Sequence, residues 1–191
     1  MTGQEEEPRI ILDKPVPINA DFVDFEIERE DWNKYKLADN TLLKARFVLL
    51  GVLMDKSLDE LRETLKKPAP DQTPKIGFGF RSQYVFSIEP PKKLRGTPDT
   101  GKYSVAELRN SIVEEDIDFE TLRSTWNSYL VNNGIRLKIR LSPTLVSRTG
   151  KFDEGGMPIY VIDSNLDVKI TMPEDIERII KQRRNRAKEQ S

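Results

Sequence analysis

The chain has 191 residues and a formal net charge of −1, from 31 basic and 32 acidic side chains, and it contains neither cysteine nor histidine. Balanced charge excludes bulk attraction to nucleic acid or to anionic membranes, so any such binding must be local. The missing residue types exclude disulfides, thiolate nucleophiles, most zinc sites and histidine acid–base chemistry. We therefore expect no cofactor, no metal and no catalytic residue, with an enzyme built on carboxylates, serine or lysine as an alternative.

The first 20 residues are acidic at positions 5–7 and contain three prolines. This composition predicts a flexible N-terminal arm over 1–20. No apolar run approaches the roughly 20 residues that a membrane-spanning helix needs. We expect a cytoplasmic protein that does not enter a membrane.

The first structured unit is predicted over 20–91. Alternation around Tyr35, the turn residues Asp39 and Asn40, and the long apolar run after them predict a β-hairpin. Leucines at positions 58, 61 and 65 have the spacing of a short amphipathic helix. The aromatic and β-branched segment 78–88 then predicts one or two further strands.

A linker rich in proline, glycine and lysine is predicted over 92–113, with a short helix capped by Ser104 and Glu107. The second unit, 114–174, contains Asn132, which tolerates positive φ in a turn, and its strands match those of the first unit. Acidic residues after Pro173 and basic residues further on predict a basic C-terminal helix over 175–191. Just before Trp32 and Trp126 the patterns conflict, and we expect a short helical turn or irregular backbone there.

The two units repeat each other in sequence. Segment 23–46 reappears 94 positions later as 117–140 without a gap, and ten of its 24 positions are identical. Unrelated segments match at about one or two positions. A second block, 78–91, aligns with 160–173. The sequence therefore predicts a mainly β (α+β) fold of internally duplicated, β-rich units related by a pseudo-two-fold axis, forming a barrel or a sandwich, with about three short helices.

The repeated motif WNxY is the first candidate site. A tryptophan beside an amide side chain is suited to holding a base or a sugar ring. The alternative, which we favour, is that the motif fills equivalent structural positions in both units. Its residues are Trp32, Asn33, Tyr35, Trp126, Asn127 and Tyr129.

Basic residues form the second candidate site. On the strand after each turn the cations alternate with apolar residues, so they share one strand face, and the C-terminal helix carries more of them. If the pseudo-two-fold axis brings the strands together, these cations could contact the phosphates of nucleic acid or an acidic partner. The alternative is a solvated face paired with carboxylates. The residues are Lys44, Arg46, Arg136, Lys138, Arg140, Arg183, Arg184 and Arg186.

Three classes of function are compatible with this sequence. The missing catalytic residue types and the balanced charge favour a non-catalytic scaffold or protein-interaction subunit, which binds a protein partner or self-associates. The basic strand faces and the C-terminal helix favour a nucleic-acid-binding protein as the alternative. An enzyme that uses neither histidine nor cysteine is the third hypothesis.

Overall fold

The computed structural model describes residues 19–66, 77–99, 102–132 and 134–189. This part of the chain is mainly β and contains three α-helices. The strands are β1 (Asp21–Val23), β2 (Phe25–Arg29), β3 (Asn33–Leu37), β4 (Leu42–Met54), β5 (Phe78–Glu89), β6 (Ile112–Glu114), β7 (Phe119–Arg123), β8 (Asn127–Val131), β9 (Ile135–Phe152) and β10 (Pro158–Thr171). The helices are α1 (Leu58–Lys66), α2 (Val105–Asn110) and α3 (Glu174–Glu189).

The strands form two five-stranded antiparallel sheets. In the first sheet β4 pairs with β5 along one edge and with β1 and β3 along the other, and β7 pairs with β3. In the second sheet β9 pairs with β10 along one edge and with β6 and β8 along the other, and β2 pairs with β8. No described strand links the two sheets by pairing. The sheets do not close on themselves, so the barrel alternative is wrong.

Each sheet includes one strand from the other part of the chain. β2 precedes β3 in sequence but pairs with β8, where Phe25 lies opposite Val131. β7 precedes β8 but pairs with β3, where Phe119 lies opposite Leu37. Both pairings carry an irregularity near their ends, and both are antiparallel. The crossing strands therefore tie the two parts of the chain together through main-chain hydrogen bonds within each sheet.

Both predicted hairpins are present. β3 and β4 pair across the turn that contains Asn40, and β8 and β9 pair across the turn that contains Asn132. Asn40 has φ 74° and Asn132 has φ 47°, so both adopt the left-handed backbone that asparagine tolerates. The prediction for the segments before Trp32 and Trp126 is wrong, because these segments are the extended strands β2 and β7.

The hydrophobic core lies between the sheets. Along β4 and β9 every second side chain is buried, as strand geometry requires when one face packs on a neighbouring layer. The rings of Phe47 on β4 and Tyr129 on β8 meet across the two sheets, with centroids 6.4 Å apart. Buried apolar residues of both sheets and of α1 and α3 belong to one cluster.

The predicted helices are present. α1 buries its three leucines, and α2 has the predicted capping box between Ser104 and Glu107. α3 begins after Pro173 with an acidic first turn, and Arg62 of α1 pairs with Asp175 of α3 at 2.7 Å. Residues 1–18 of the predicted arm lie outside the described residues.

Candidate functional site

The asparagines of the WNxY motif join the two sheets. Asn33 Nδ2 donates to the carbonyl of Leu141 at 3.0 Å, and its Oδ1 accepts from the Thr125 amide at 2.7 Å. Asn127 Nδ2 donates to the carbonyl of Phe47 at 3.0 Å, and its Oδ1 accepts from the Asp31 amide at 3.0 Å. Both side chains are buried, so neither amide is exposed to a ligand.

The tyrosines of the motif are also buried. Tyr129 donates its hydroxyl to Glu30 Oε2 at 3.0 Å, and Tyr35 reaches the carbonyl of Leu141 at 3.5 Å. Burial raises the pKa of Tyr129 well above the ordinary tyrosine value, and the Glu30 carboxylate raises it further. Burial likewise raises the pKa of Tyr35. Both side chains stay protonated at neutral pH and act as structural donors.

The tryptophans of the motif occupy equivalent, partly buried positions. Trp32 and Trp126 are half-buried on the outer faces of their sheets. The Arg46 guanidinium lies 5.8 Å from the centroid of the Trp32 ring, and the Arg140 guanidinium lies 4.7 Å from that of Trp126. Each ring is therefore held by a cation on the strand after the turn, which is a structural contact that leaves part of the indole in solvent.

The candidate cations do not form one surface. Lys44 and Arg46 lie on β4 in the first sheet, whereas the other strand cations lie on β9 in the second, so the shared face expected from the sequence is absent. Lys44 pairs with Glu89, and Arg46 Nε donates to Glu30 at 3.0 Å. These two cations are neutralised by carboxylates of the chain itself.

Two of the three candidate cations on β9 are paired as well. Arg136 donates to Glu28 at 3.2 Å, and Arg140 donates to Asp167 at 2.7 Å. Lys138 is exposed and makes no ion pair with any described residue. Arg183, Arg184 and Arg186 belong to α3, and their side chains lie outside the described part of the structure.

Lys138 faces a second lysine. In the β9–β10 pairing Lys138 lies directly opposite Lys169, and Ser128 of β8 lies opposite Lys138 on its other side. Lys169 also makes no ion pair with a described residue, and its ammonium lies 5.3 Å from the centroid of the Trp126 ring. The sequence alternation around Lys169 indicated a strand, but only the register between two long strands places it beside Lys138.

An open groove of about 590 Å³ lies next to this lysine pair. Its lining combines one indole, three cations, three hydroxyls and one carboxylate. Ser128 and Arg136 donate to Glu28, and these hydrogen bonds lower the pKa of Glu28. The lining residues are Glu28, Arg29, Ser124, Thr125, Trp126, Ser128, Arg136 and Lys138.

The corresponding place on the first sheet has a different chemistry. The positions that align with Ser124 and Thr125 are Glu30 and Asp31. Asp31 accepts hydrogen bonds from Arg29 at 2.7 Å and from Arg123 at 2.8 Å, and the Arg29 contact lowers the pKa of Asp31. Carboxylates of the chain therefore occupy the region near Trp32, whereas hydroxyls occupy the region near Trp126.

A buried polar cluster that the sequence did not indicate fixes the first hairpin to the second sheet. Tyr160 donates its hydroxyl to Asp39 at 2.6 Å and lies 2.8 Å from the Thr41 hydroxyl. Arg148 approaches Asp39 at 3.9 Å and pairs with Glu114 at 2.8 Å. Among the described residues no buried side-chain nitrogen or oxygen lacks a hydrogen-bond partner, so this cluster is explained by a structural role.

Comparison with protein-family models, with curated proteins and with solved structures finds no match to this chain. Within the described ranges no helix has the length and apolar character needed to cross a membrane. The same part of the chain holds no group of three or more acidic side chains arranged to bind a metal ion.

Proposed function

We propose that this protein is a non-catalytic interaction subunit that self-associates through the outer edge of β5. The observation that carries the proposal is the state of this edge. β5 has 12 residues and pairs along one side with β4, and no described strand pairs with its other side. A long unpaired edge presents a row of main-chain donors and acceptors to which a further strand can bind.

The side chains of β5 support this proposal. Tyr84 is 45% exposed although it lies on the core-facing side of the sheet, where its ring is 6.0 Å from that of Phe47. Phe80, Phe86 and Ile88 on the same side are only partly buried. Natural proteins protect exposed edges with lysine or proline, and β5 contains neither. An additional strand would cover this apolar surface.

A second copy of the chain is the partner that fits the charges of β5. If two β5 strands pair antiparallel about Val85, Arg81 of each copy lies opposite Glu89 of the other. The same register places Tyr84 opposite Phe86, so apolar side chains meet on the core-facing side. This contact is isologous and closes after two subunits, as in most homodimers.

We also infer that the chain is an internal duplication with pseudo-two-fold symmetry. The support is that contacts recur with both partners shifted by the same 94 positions: Asn33 with Leu141 and Asn127 with Phe47 are one such pair. These contacts between the sheets explain why asparagine occupies the same position, Asn33 and Asn127, in both halves. This favours a structural explanation of the repeated residues over a catalytic one.

The test is the oligomeric state, measured by size-exclusion chromatography with light scattering over a range of concentrations. We expect the wild-type chain to reach twice its monomer mass of 22.1 kDa. Arg81→Glu should shift the protein to monomer, because it places two acidic residues opposite each other. Arg81→Glu combined with Glu89→Arg should restore the dimer at least in part, because the charges across the contact are again complementary, although the change at Glu89 also removes its ion pair with Lys44.

The matched control is Val105→Lys, which adds a charge on α2, away from β5. Val105 is apolar and is more exposed than Tyr84. This variant should dimerise like the wild type. A wild-type chain that stays monomeric at every concentration would contradict the proposal. So would a dimer that is unaffected by Arg81→Glu.

A further inference from the structure

We propose that the groove beside Trp126 binds a nucleoside phosphate, with the phosphate near Lys138 and Lys169 and the ring against the indole. This site lies on the second sheet and does not depend on dimerisation through β5, which belongs to the first sheet. The ligand is either a free nucleotide or one unit of a single-stranded nucleic acid, because both present the same ring and phosphate.

The lysine pair is the first reason. Like charges directly opposite each other in a sheet are destabilising unless another charge compensates them. Lys44, Arg46, Arg136 and Arg140 each form a close ion pair with a carboxylate. Among the described residues Lys138 and Lys169 form no such pair, and Lys138 interacts with the Glu28 carboxylate only at longer range. An anion from solution would supply the missing compensation.

The composition of the groove is the second reason. Trp126 presents part of a flat ring, and aromatic side chains stack with the bases of nucleic acids. Ser124 and Thr125 line the same groove and are hydroxyl donors suited to phosphate oxygens. The volume of about 590 Å³ is within the range of roughly 300 to 1,000 Å³ that is typical of small-ligand sites.

The contrast with the first sheet is the third reason. At the aligned positions Glu30 pairs with Arg46, and Asp31 pairs with Arg29 and Arg123, so internal carboxylates satisfy the cations there. An external anion would meet two negative charges near Trp32. The described lining of the groove near Trp126 has one carboxylate, Glu28, which is already bound by Ser128 and Arg136. Arg29 of this lining is paired with Asp31, so Lys138 is the lining cation without a close ion pair among the described residues.

Affinity for defined probes tests this site. Isothermal titration at about 50 mM salt, where phosphate contacts are strong, would use AMP, adenosine and inorganic phosphate as separate ligands. We expect AMP to bind about tenfold more tightly than either fragment, because it uses both the ring and the charge. Equal binding of AMP and inorganic phosphate would overturn the proposal, as would no binding of AMP together with no binding of the oligonucleotide below.

The variants locate the site. Lys138→Gln with Lys169→Gln should weaken AMP binding by about tenfold or more, because two charge-assisted contacts are lost. Lys44→Gln, the aligned position on the first sheet, should bind AMP like the wild type. If the double variant keeps wild-type affinity while its melting temperature is unchanged, the proposal is wrong.

A second variant replaces two hydroxyl side chains of the groove by the carboxylates found at the aligned positions of the first copy. Ser124→Glu with Thr125→Asp introduces the two residues found at the aligned positions, where the backbone accommodates them. We expect this variant to fold and to lose AMP binding. Retained binding would contradict the assigned location.

The affinity of the protein for a single-stranded oligoadenylate of about 12 nucleotides, compared with its affinity for AMP, distinguishes a free nucleotide from a nucleic-acid strand. Binding no tighter than AMP indicates a free nucleotide. Binding that is about tenfold tighter, with a steeper dependence on salt, indicates a nucleic-acid strand. Either result supports the site only if the double lysine variant weakens it.

Discussion

Asn33 and Asn127 make the same pair of hydrogen bonds in opposite directions across the interface between the sheets. Asn33 of the first sheet binds the carbonyl of Leu141 in the second, and Asn127 of the second sheet binds the carbonyl of Phe47 in the first. Asn33 also accepts a hydrogen bond from the amide of Thr125, which lies between β7 and β8. Asn127 accepts one from the amide of Asp31, which lies between β2 and β3. These side chains therefore hold the turn segments and the two sheets together.

Replacing either asparagine by alanine should destabilise the fold. Asn33→Ala leaves the Thr125 amide without its partner and the Leu141 carbonyl with only the long contact from the Tyr35 hydroxyl. We expect a loss of about 2 to 3 kcal/mol in the free energy of unfolding. Asn127→Ala should lose a similar amount. Urea denaturation measures both, with exposed Asn165 replaced by alanine as the control. A stability equal to that of the control would show that water replaces these bonds.

The tryptophans should contribute less to stability than a fully buried aromatic. Phe47 is 1% exposed, so Phe47→Ala should cost about 3 to 5 kcal/mol. Trp126 is half-buried and is held mainly by Arg140 and Lys169, so Trp126→Ala should cost about half as much. The comparison uses the same denaturation experiment. A larger loss at Trp126 than at Phe47 would mean that the indole belongs to the core.

Stability should fall at high pH because of two tyrosines. Burial raises the pKa of Tyr129 and of Tyr160 above the ordinary value near 10, with Glu30 and Asp39 adding to the effect. Above pH 10 the unfolded chain loses these protons while the folded chain keeps them. The stability is therefore complete below pH 10 and declines as the pH rises further.

The variant with both Tyr129→Phe and Tyr160→Phe tests this assignment. Its stability at neutral pH should be lower, because hydrogen bonds to Glu30 and Asp39 are lost. Its further loss above pH 10 should be smaller than that of the wild type. Equal slopes of unfolding free energy against pH would assign the alkaline transition to other groups.

The turn between β9 and β10 contains two adjacent glycines, and we expect it to require glycine at position 156 but not at position 155. Gly156 has φ 73°, and an added Cβ would lie 2.5 Å from the Gly96 carbonyl oxygen. Gly156→Ala should therefore cost more than about 1 kcal/mol. At Gly155 the nearest atom to an added Cβ is 3.4 Å away, so Gly155→Ala is the control. Equal melting temperatures for the two variants would contradict this prediction.

Local sequence patterns predicted much of the secondary structure. The turn at Asn132, the leucines of α1 and the capping box of α2 act within a few residues, so the sequence indicates them directly. The strands β2 and β7 were missed because the two copies show conflicting patterns. Val23, Phe25 and Ile27 alternate as in a strand, whereas Phe119, Leu122 and Trp126 have helical spacing. Only pairing with β8 and β3 makes both segments strands.

The candidate site was predicted in part. Lys138 and Trp126 were candidates from the repeated motif and from the alternation of β9. Lys169, Arg29 and Ser124 were not, because they come from other segments that only the fold brings near the groove. The prediction that Lys44 and Lys138 share one surface was wrong. The strands β4 and β9 belong to different sheets and direct these cations to different outer faces.

The sequence by itself determined the β-rich class, the two hairpins, the short helices and the absence of histidine and cysteine chemistry, because these depend on composition and on interactions between near neighbours. The tertiary structure alone decided that β2 and β7 cross between the two parts of the chain, that no described strand pairs with the outer edge of β5 and that Lys138 faces Lys169. The physical reason is that strand pairing joins residues of any separation. Its partner and register are set by the packing of the whole chain, which no local pattern encodes.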